Sequence, residues 1–169
     1  MAGAQMNDHT MTRRSMLGAL ARSFGAGAAL SALLPLTSRA DAMSAPPTIT
    51  VYKDPSCGCC TKWVEHLRGA GLHPDVHDRA DMDALKNSLG VPSALRSCHT
   101  AVAGRYVIEG HVPAADVKRL LAAAPKGILG IAVPDMPAGA PGMEVPGRAD
   151  RYDVIAFAAD GTTKLFAHH

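Results

Sequence analysis

Ile49-Thr50-Val51-Tyr52-Lys53-Asp54-Pro55-Ser56-Cys57-Gly58-Cys59-Cys60 leads directly into Trp63-Val64, Leu67 and Ala70. The first five residues are β-branched and apolar, the composition of a strand. Asp54-Pro55-Ser56 breaks that run. Beyond it, Cys60, Trp63, Val64, Leu67 and Ala70 recur at helical spacing, which predicts a helix with one apolar face and a stop at Gly71. A C-x-x-C pair, Cys57 and Cys60, therefore lies between a strand and a helix, the setting in which that motif is informative.

Downstream, Pro74 to Asp78 reads as a second strand, and Asp81 as the cap of a helix with Met82, Leu85 and Leu89 inward and Gly90 at its end. Strand, helix, strand in that order favours a parallel pair. Thr100 to Ala103 and Arg105 to Ile108 read as strand segments around Gly104. Pro113 opens a further helix with Val117, Leu120, Leu121 and Ala124 as its buried stripe. Gly127 to Gly147, rich in Gly, Pro and Met, reads mostly as loop. Tyr152 to Ala158 and Thr163 to Ala167 read as two strands joined at Asp160-Gly161, a hairpin signal. The fold class is α/β.

Upstream, Thr12-Arg13-Arg14-Ser15-Met16-Leu17 opens a basic segment, an Ala/Gly-rich apolar run extends to Leu36, and Arg39-Ala40-Asp41-Ala42 closes it with an A-x-A pattern. That is the layout of a secretory signal, and the paired arginines suggest the twin-arginine route. Arg22 and the Ser and Gly residues make the run a poor permanent span. The expected organisation is a signal peptide over residues 1–42, a linker over 43–48 and one domain over 49–169, located in the periplasm with no stable membrane insertion after cleavage. The leader holds the whole formal charge of +2, so the remainder is balanced. Without a basic patch or many aromatic residues, nucleic acid is not an expected partner.

All four cysteines fall beyond the leader, in a compartment where an unprotected thiol must be oxidised, metal-bound or actively reduced. Backbone amides at a helix start favour a thiolate, which exchanges with disulfides and binds soft metals. Three cysteines within four residues argue against a purely structural bridge, because one pair leaves a neighbour over and vicinal Cys59-Cys60 is poor bridge geometry. Cys57 with Cys60, or any of the three with Cys98, remain open pairings. Zinc fits less well, since the cysteines are crowded rather than split into separated knuckles. Cu(I) suits thiolate and thioether donors, and the chain supplies more of them. Ser97-Cys98-His99-Thr100 sets a thiol beside an imidazole, Glu109-Gly110-His111-Val112-Pro113 puts His111 before a helix, and Met136 and Met143 stand in the Gly/Pro-rich loop. Each alone has a plain reading: buried Cys, surface His, loop Met. His66 reads as helix surface, His73 and His77 as weak candidates, and His168-His169 as metal-binding or frayed. The Asp and Glu residues show no ligand spacing and read as solvated charge.

Asp54-Pro55-Ser56-Cys57-Gly58-Cys59-Cys60, Ser97-Cys98-His99-Thr100, Glu109-Gly110-His111-Val112-Pro113, Met136-Pro137 and Gly142-Met143-Glu144 occur in this order. The combination resembles the CopG-like family of exported copper-resistance proteins, over roughly Ile49 to His169. The resemblance implies a thioredoxin-like central sheet with flanking helices, plus the Gly/Pro/Met-rich loop and a C-terminal β-hairpin. It implies copper, as Cu(I) with Cu(II) the second state, and a role in copper or silver tolerance. Cys57, Cys59, Cys60 and Cys98 carry over as the thiol centre, and His99, His111, Met136 and Met143 more loosely. An envelope copper exporter or oxidase is the kind of partner that fits. Arg105-Tyr106 departs from the family pattern after Gly104 without touching the site. The competing reading is an envelope thiol-disulfide oxidoreductase with Cys57 as nucleophile and Cys60 resolving, which needs neither Cys59 nor the Cys98-His99 pair.

Overall fold

Ile49–Lys53 forms β1 with Ile49, Val51 and Lys53 buried in alternation, the period-2 pattern of a pleated strand. The computed structural model describes residues 47–169; the expected leader and residues 43–46 of the linker lie outside the described residues. Helix α1, Gly58–Gly69, buries Cys60, Trp63, Val64 and Leu67 on one face. It ends in a hydrogen-bonded stop: Gly71 takes φ +77°, its N–H donates to the Arg68 carbonyl, and the Leu72 N–H reaches back to Leu67. Glycine suits that left-handed position because it carries no Cβ. Strand β2 is Pro74–Asp78. Helix α2, Met82–Ser88, starts at Asp81, whose carboxylate accepts the Ala84 N–H at 3.1 Å.

After a short 3-10 turn, Ser93–Leu95, come β3 (His99–Ala103), β4 (Tyr106–Glu109), α3 (Ala114–Ala123), β5 (Gly130–Ala132), β6 (Asp153–Phe157) and β7 (Thr163–His168). Among the described residues, the seven strands join one sheet in the order β2-β1-β3-β4-β5-β6-β7. The β1–β2 and β4–β5 pairs are parallel and the others antiparallel. The expected parallel β1–β2 pair and the C-terminal hairpin β6–β7 are both present.

One expectation is incomplete and another needs correction. The segment Gly127 to Gly147 is not all loop, because Gly130-Ile131-Ala132 sits as a fully buried strand between β4 and β6. In α3, Leu121 is only half-buried, and Ala124 lies beyond the helix as its exposed left-handed cap.

Trp63, Leu67, Val51, Ile108, Leu120, Ile131 and Val154 belong to the main core. Val91, Leu95, Val107, Ala132 and Phe157 form a second cluster. Val107 and Ile108 are consecutive in β4, so they project from opposite faces of the sheet and serve one cluster each. Among the described residues, no helix is long and apolar enough to cross a membrane.

Candidate metal centre

The strand registers gather the chemistry at one end of the sheet. Antiparallel pairing sets Lys53 opposite His99, so β1 ends where β3 begins. Thr100 pairs with Glu109, so β4 ends beside that same start. The Gly110 N–H donates to the His99 carbonyl at 3.0 Å, and the Val133 N–H donates to the Glu109 carbonyl at 3.0 Å. Four strand ends thus deliver the Cys57 loop, Cys98-His99, His111 and the segment leading to Met136 and Met143.

Cys57 is the N-cap of α1 but offers no side-chain cap. Its N–H donates to Asp54, whose carboxylate also accepts the Ser56 N–H at 2.8 Å, so the turn closes on itself. Cys57 and Cys60 form a disulfide, with Cα atoms 5.4 Å apart. Cys59 and Cys98 are free thiols. Cys59 Sγ lies 3.5 Å from Cys57 Sγ, and the sulfurs of Cys57, Cys59, Cys60 and Cys98 all lie within 4.8 Å of one another.

Cys98 also belongs to a second group, with His99 and His111, whose ligand atoms again fall within 4.8 Å of one another. Cys98 Sγ is 3.0 Å from His111 Nε2 and 3.3 Å from His99 Nδ1. The other nitrogen of His111, Nδ1, is 2.7 Å from the Pro141 carbonyl. A carbonyl only accepts, so Nδ1 carries the hydrogen and the Nε2 lone pair faces the sulfur. An imidazole whose far N–H is bound to a carbonyl is the usual arrangement of a metal-ligating histidine. His99 is fully buried, its ring tilted by 41° against Trp63 at 4.3 Å between centroids and edge-on to His111 at 4.9 Å. Burial, then the neighbouring His111 and Lys86, hold it well below the ordinary imidazole range. Burial also lowers His111. Both rings are thereby kept neutral, the form that binds metal. Burial and the neighbouring Cys59 push the Cys98 thiol up to about 12, so it keeps its proton near neutral pH.

Met136 is 52% exposed and lines an open cleft that Cys98 also lines. Met143 is half-buried and follows Gly142, which lies against the first turn of α1. His66 is not simply a surface residue: its Nε2 accepts the Ala114 N–H at 3.0 Å and caps α3. Trp63 Nε1 donates to the Val112 carbonyl at 2.8 Å, so α1 grips the segment after His111 twice. His73 and His77 are exposed, and His77 pairs with Asp75 at 2.9 Å. The terminal histidines are tied down. His168 meets Asp153 and His169 meets Asp116, each at 2.6 Å.

The reading of all acidic residues as solvated charge fails at Glu109 and Asp116, which are 0% and 5% exposed. Glu109 pairs with Lys86, itself buried, and accepts hydrogen bonds from Thr100 and from the Ser97 N–H. Burial raises the Glu109 carboxyl, and Lys86 and the hydrogen bonds oppose that rise. Neither carboxylate has ligand spacing; the one sequence signal is Glu109 standing alone at the end of the apolar strand Tyr106–Glu109.

A family model described as "Protein of unknown function, DUF411" matches residues 95–143. Two solved structures, both titled copper resistance protein CopG and distinguished as Form 2 and Form 1, are 43% identical to the chain. Each match covers 73% of this chain and 98% of the other, with TM-scores of 0.70 and 0.69. No curated protein sequence matches.

Proposed function

The chain belongs to the CopG-like family of copper resistance proteins, and from that premise we propose that it captures copper in the cell envelope as Cu(I), with the disulfide setting its capacity. The observation that carries this reading is the position of Cys98, whose sulfur is shared by the thiol group and the imidazole group. Thiolate and neutral imidazole are the donors a soft monovalent copper ion prefers, and His111 is already oriented for it. With Cys57 and Cys60 oxidised, Cys59 and Cys98 are the available thiols. Reducing the bridge takes two electrons and two protons and adds two thiols within reach of the same point. In the opposite direction, two Cu(II) ions can take two electrons as the Cys57 and Cys60 thiols close to the disulfide and release two protons, leaving two Cu(I), so capture and oxidation state are linked. The order β1-α1-β2-α2-β3-β4-α3 supports the thioredoxin-like description, with the bridge at the start of the first helix.

In a chromogenic Cu(I) competition titration, the reduced protein should hold more Cu(I) than the oxidised one. Cys59→Ser with Cys98→Ser should abolish tight binding to the oxidised form. Equal stoichiometry for all three refutes the reading. Trp63, the sole tryptophan, touches His99 and should change its emission as copper enters. The leader predicts that the processed protein fractionates with the periplasm and stays cytoplasmic when the twin-arginine route is blocked.

The oxidoreductase reading keeps one observation in its favour: Cys60 is sealed while Cys57 is partly exposed, as attack on one sulfur of the bridge requires. It predicts turnover of a disulfide substrate without copper.

A further inference from the structure

Under the thiol–imidazole site lies a charged pair that belongs to neither ligand group. Lys86 of α2 is 3% exposed and Glu109 of β4 is 0% exposed. The ammonium pairs with Glu109 Oε1 at 2.5 Å and donates to Thr100 Oγ1 at 2.8 Å. The Thr100 hydroxyl donates to Glu109 Oε2 at 2.7 Å. The Ser97 N–H donates to Glu109 Oε1 at 2.7 Å. One carboxylate therefore takes three donors, and one of them is the backbone immediately before Cys98.

Ser97 is held from its other side as well. Its hydroxyl donates to the Asp135 carbonyl at 2.6 Å, and Asp135 adopts φ +59°, an uncommon conformation for a residue with a side chain. Gly110, which separates Glu109 from His111, has φ +72°, and a Cβ there would meet Ser97 Cβ and the Val133 carbonyl oxygen, each at 2.6 Å. The backbone bearing His111 and the backbone bearing Cys98 are therefore pressed together at Gly110 and Ser97, with Glu109 bonded across the junction. A buried ion pair is poor evidence of stability, because well-packed apolar replacements are often as stable or more so. What this pair supplies, and apolar packing cannot, is a directed acceptor for one particular N–H.

We propose that Glu109, neutralised by Lys86, is a positioning residue of the copper site: its carboxylate fixes the Ser97 N–H and thereby holds Cys98 Sγ in contact with His111 Nε2. The inference rests on the copper reading for its purpose, and on geometry alone for its mechanism. Orienting groups behind metal ligands commonly change affinity by about 10- to 100-fold, and Glu109 acts in this way through the main chain.

Three variants separate the hydrogen bond from the charge. Glu109→Asp keeps both charges but withdraws the carboxylate by one methylene. It should fold cooperatively, bind Cu(I) about 10-fold more weakly in competition with a chromogenic chelator, and alkylate faster at Cys98 in the apo form, read by peptide mass. Lys86→Met with Glu109→Gln removes both charges yet leaves a side-chain carbonyl for Ser97, and should restore affinity to within about 3-fold of the parent. Lys86→Met with Glu109→Leu removes the acceptor as well and should lose affinity like Glu109→Asp; if it does not fold, the first two variants decide. Parental affinity and parental Cys98 alkylation in Glu109→Asp overturn the proposal. So does a Met/Gln pair that loses as much as Glu109→Asp, since charge would then be what matters. Should the parent take up no Cu(I), the copper reading fails, while the Cys98 alkylation contrast between Glu109→Asp and the Met/Gln pair still tests the positioning.

Discussion

Gly142→Ala tests how the Pro141–Met143 segment is pinned to the site. Gly142 has φ +86°, and a Cβ added there would lie 2.7 Å from the Cys59 carbonyl oxygen, 2.9 Å from Trp63 N and 3.3 Å from Lys62 Cβ. Two of those atoms are helix backbone and cannot swing away. The left-handed conformation costs an alanine about 1–2 kcal/mol, and forcing a methyl into a packed contact costs about 1–3 kcal/mol more. The combined loss of about 2–5 kcal/mol is a large share of the roughly 5–15 kcal/mol that holds a domain folded. The chain can escape the clash by lifting the segment, but then Pro141 leaves His111 Nδ1, and a buried donor without a partner costs about 1–3 kcal/mol. Urea unfolding followed by Trp63 emission reads the outcome. With an m-value of about 2 kcal/mol/M, the midpoint should fall by about 1–2.5 M. Cu(I) affinity should fall about 10-fold as His111 loses its orienting carbonyl. Gly58→Ala is the control, because nothing lies within 4 Å of its Cβ position and its φ is not positive. A Gly142→Ala protein with the parental midpoint and parental copper affinity would refute the pinning argument.

Two pH dependences follow from the buried groups. His66, His99 and His111 are all lowered by burial from 6.5, so below that value the unfolded chain binds more protons than the folded one and stability falls with pH; urea midpoints for the apo protein should drop between pH 7 and pH 5, and a flat profile contradicts the burial argument. Cys98 is raised from 9.0 to about 12, so the folded chain holds a proton that the unfolded one releases, and stability should be lost as pH rises through that window. Cys98→Ser should flatten the alkaline limb, and an unchanged limb shows that another group is responsible.

Much of the fold was legible because local signals agreed. Ile49–Lys53 and Pro74–Asp78 are strands over the residues expected, and Asp81 caps α2 with its own carboxylate. Strand β5 was not legible. Gly130-Ile131-Ala132 is three residues long, buried throughout and mostly small, so it has neither length nor alternation. It is a strand because β4 and β6 flank it and satisfy its backbone, a requirement that acts only after the chain has closed. In the site, the soft donors announced themselves by residue type, whereas Lys86, Thr100 and Ser97 are commonplace residues whose importance comes from what they touch.

The residue types alone determined that this chain carries thiols and imidazoles suited to a soft metal, and that a strand and a helix bracket the first cysteines, because donor chemistry and apolar periodicity are local properties. Only the tertiary structure decided that Cys57 bridges Cys60 while Cys59 and Cys98 stay free, that Cys98 faces both His99 and His111, and that a buried carboxylate holds the backbone behind it. Those relations join residues far apart in the chain, and strand register sets which of them meet.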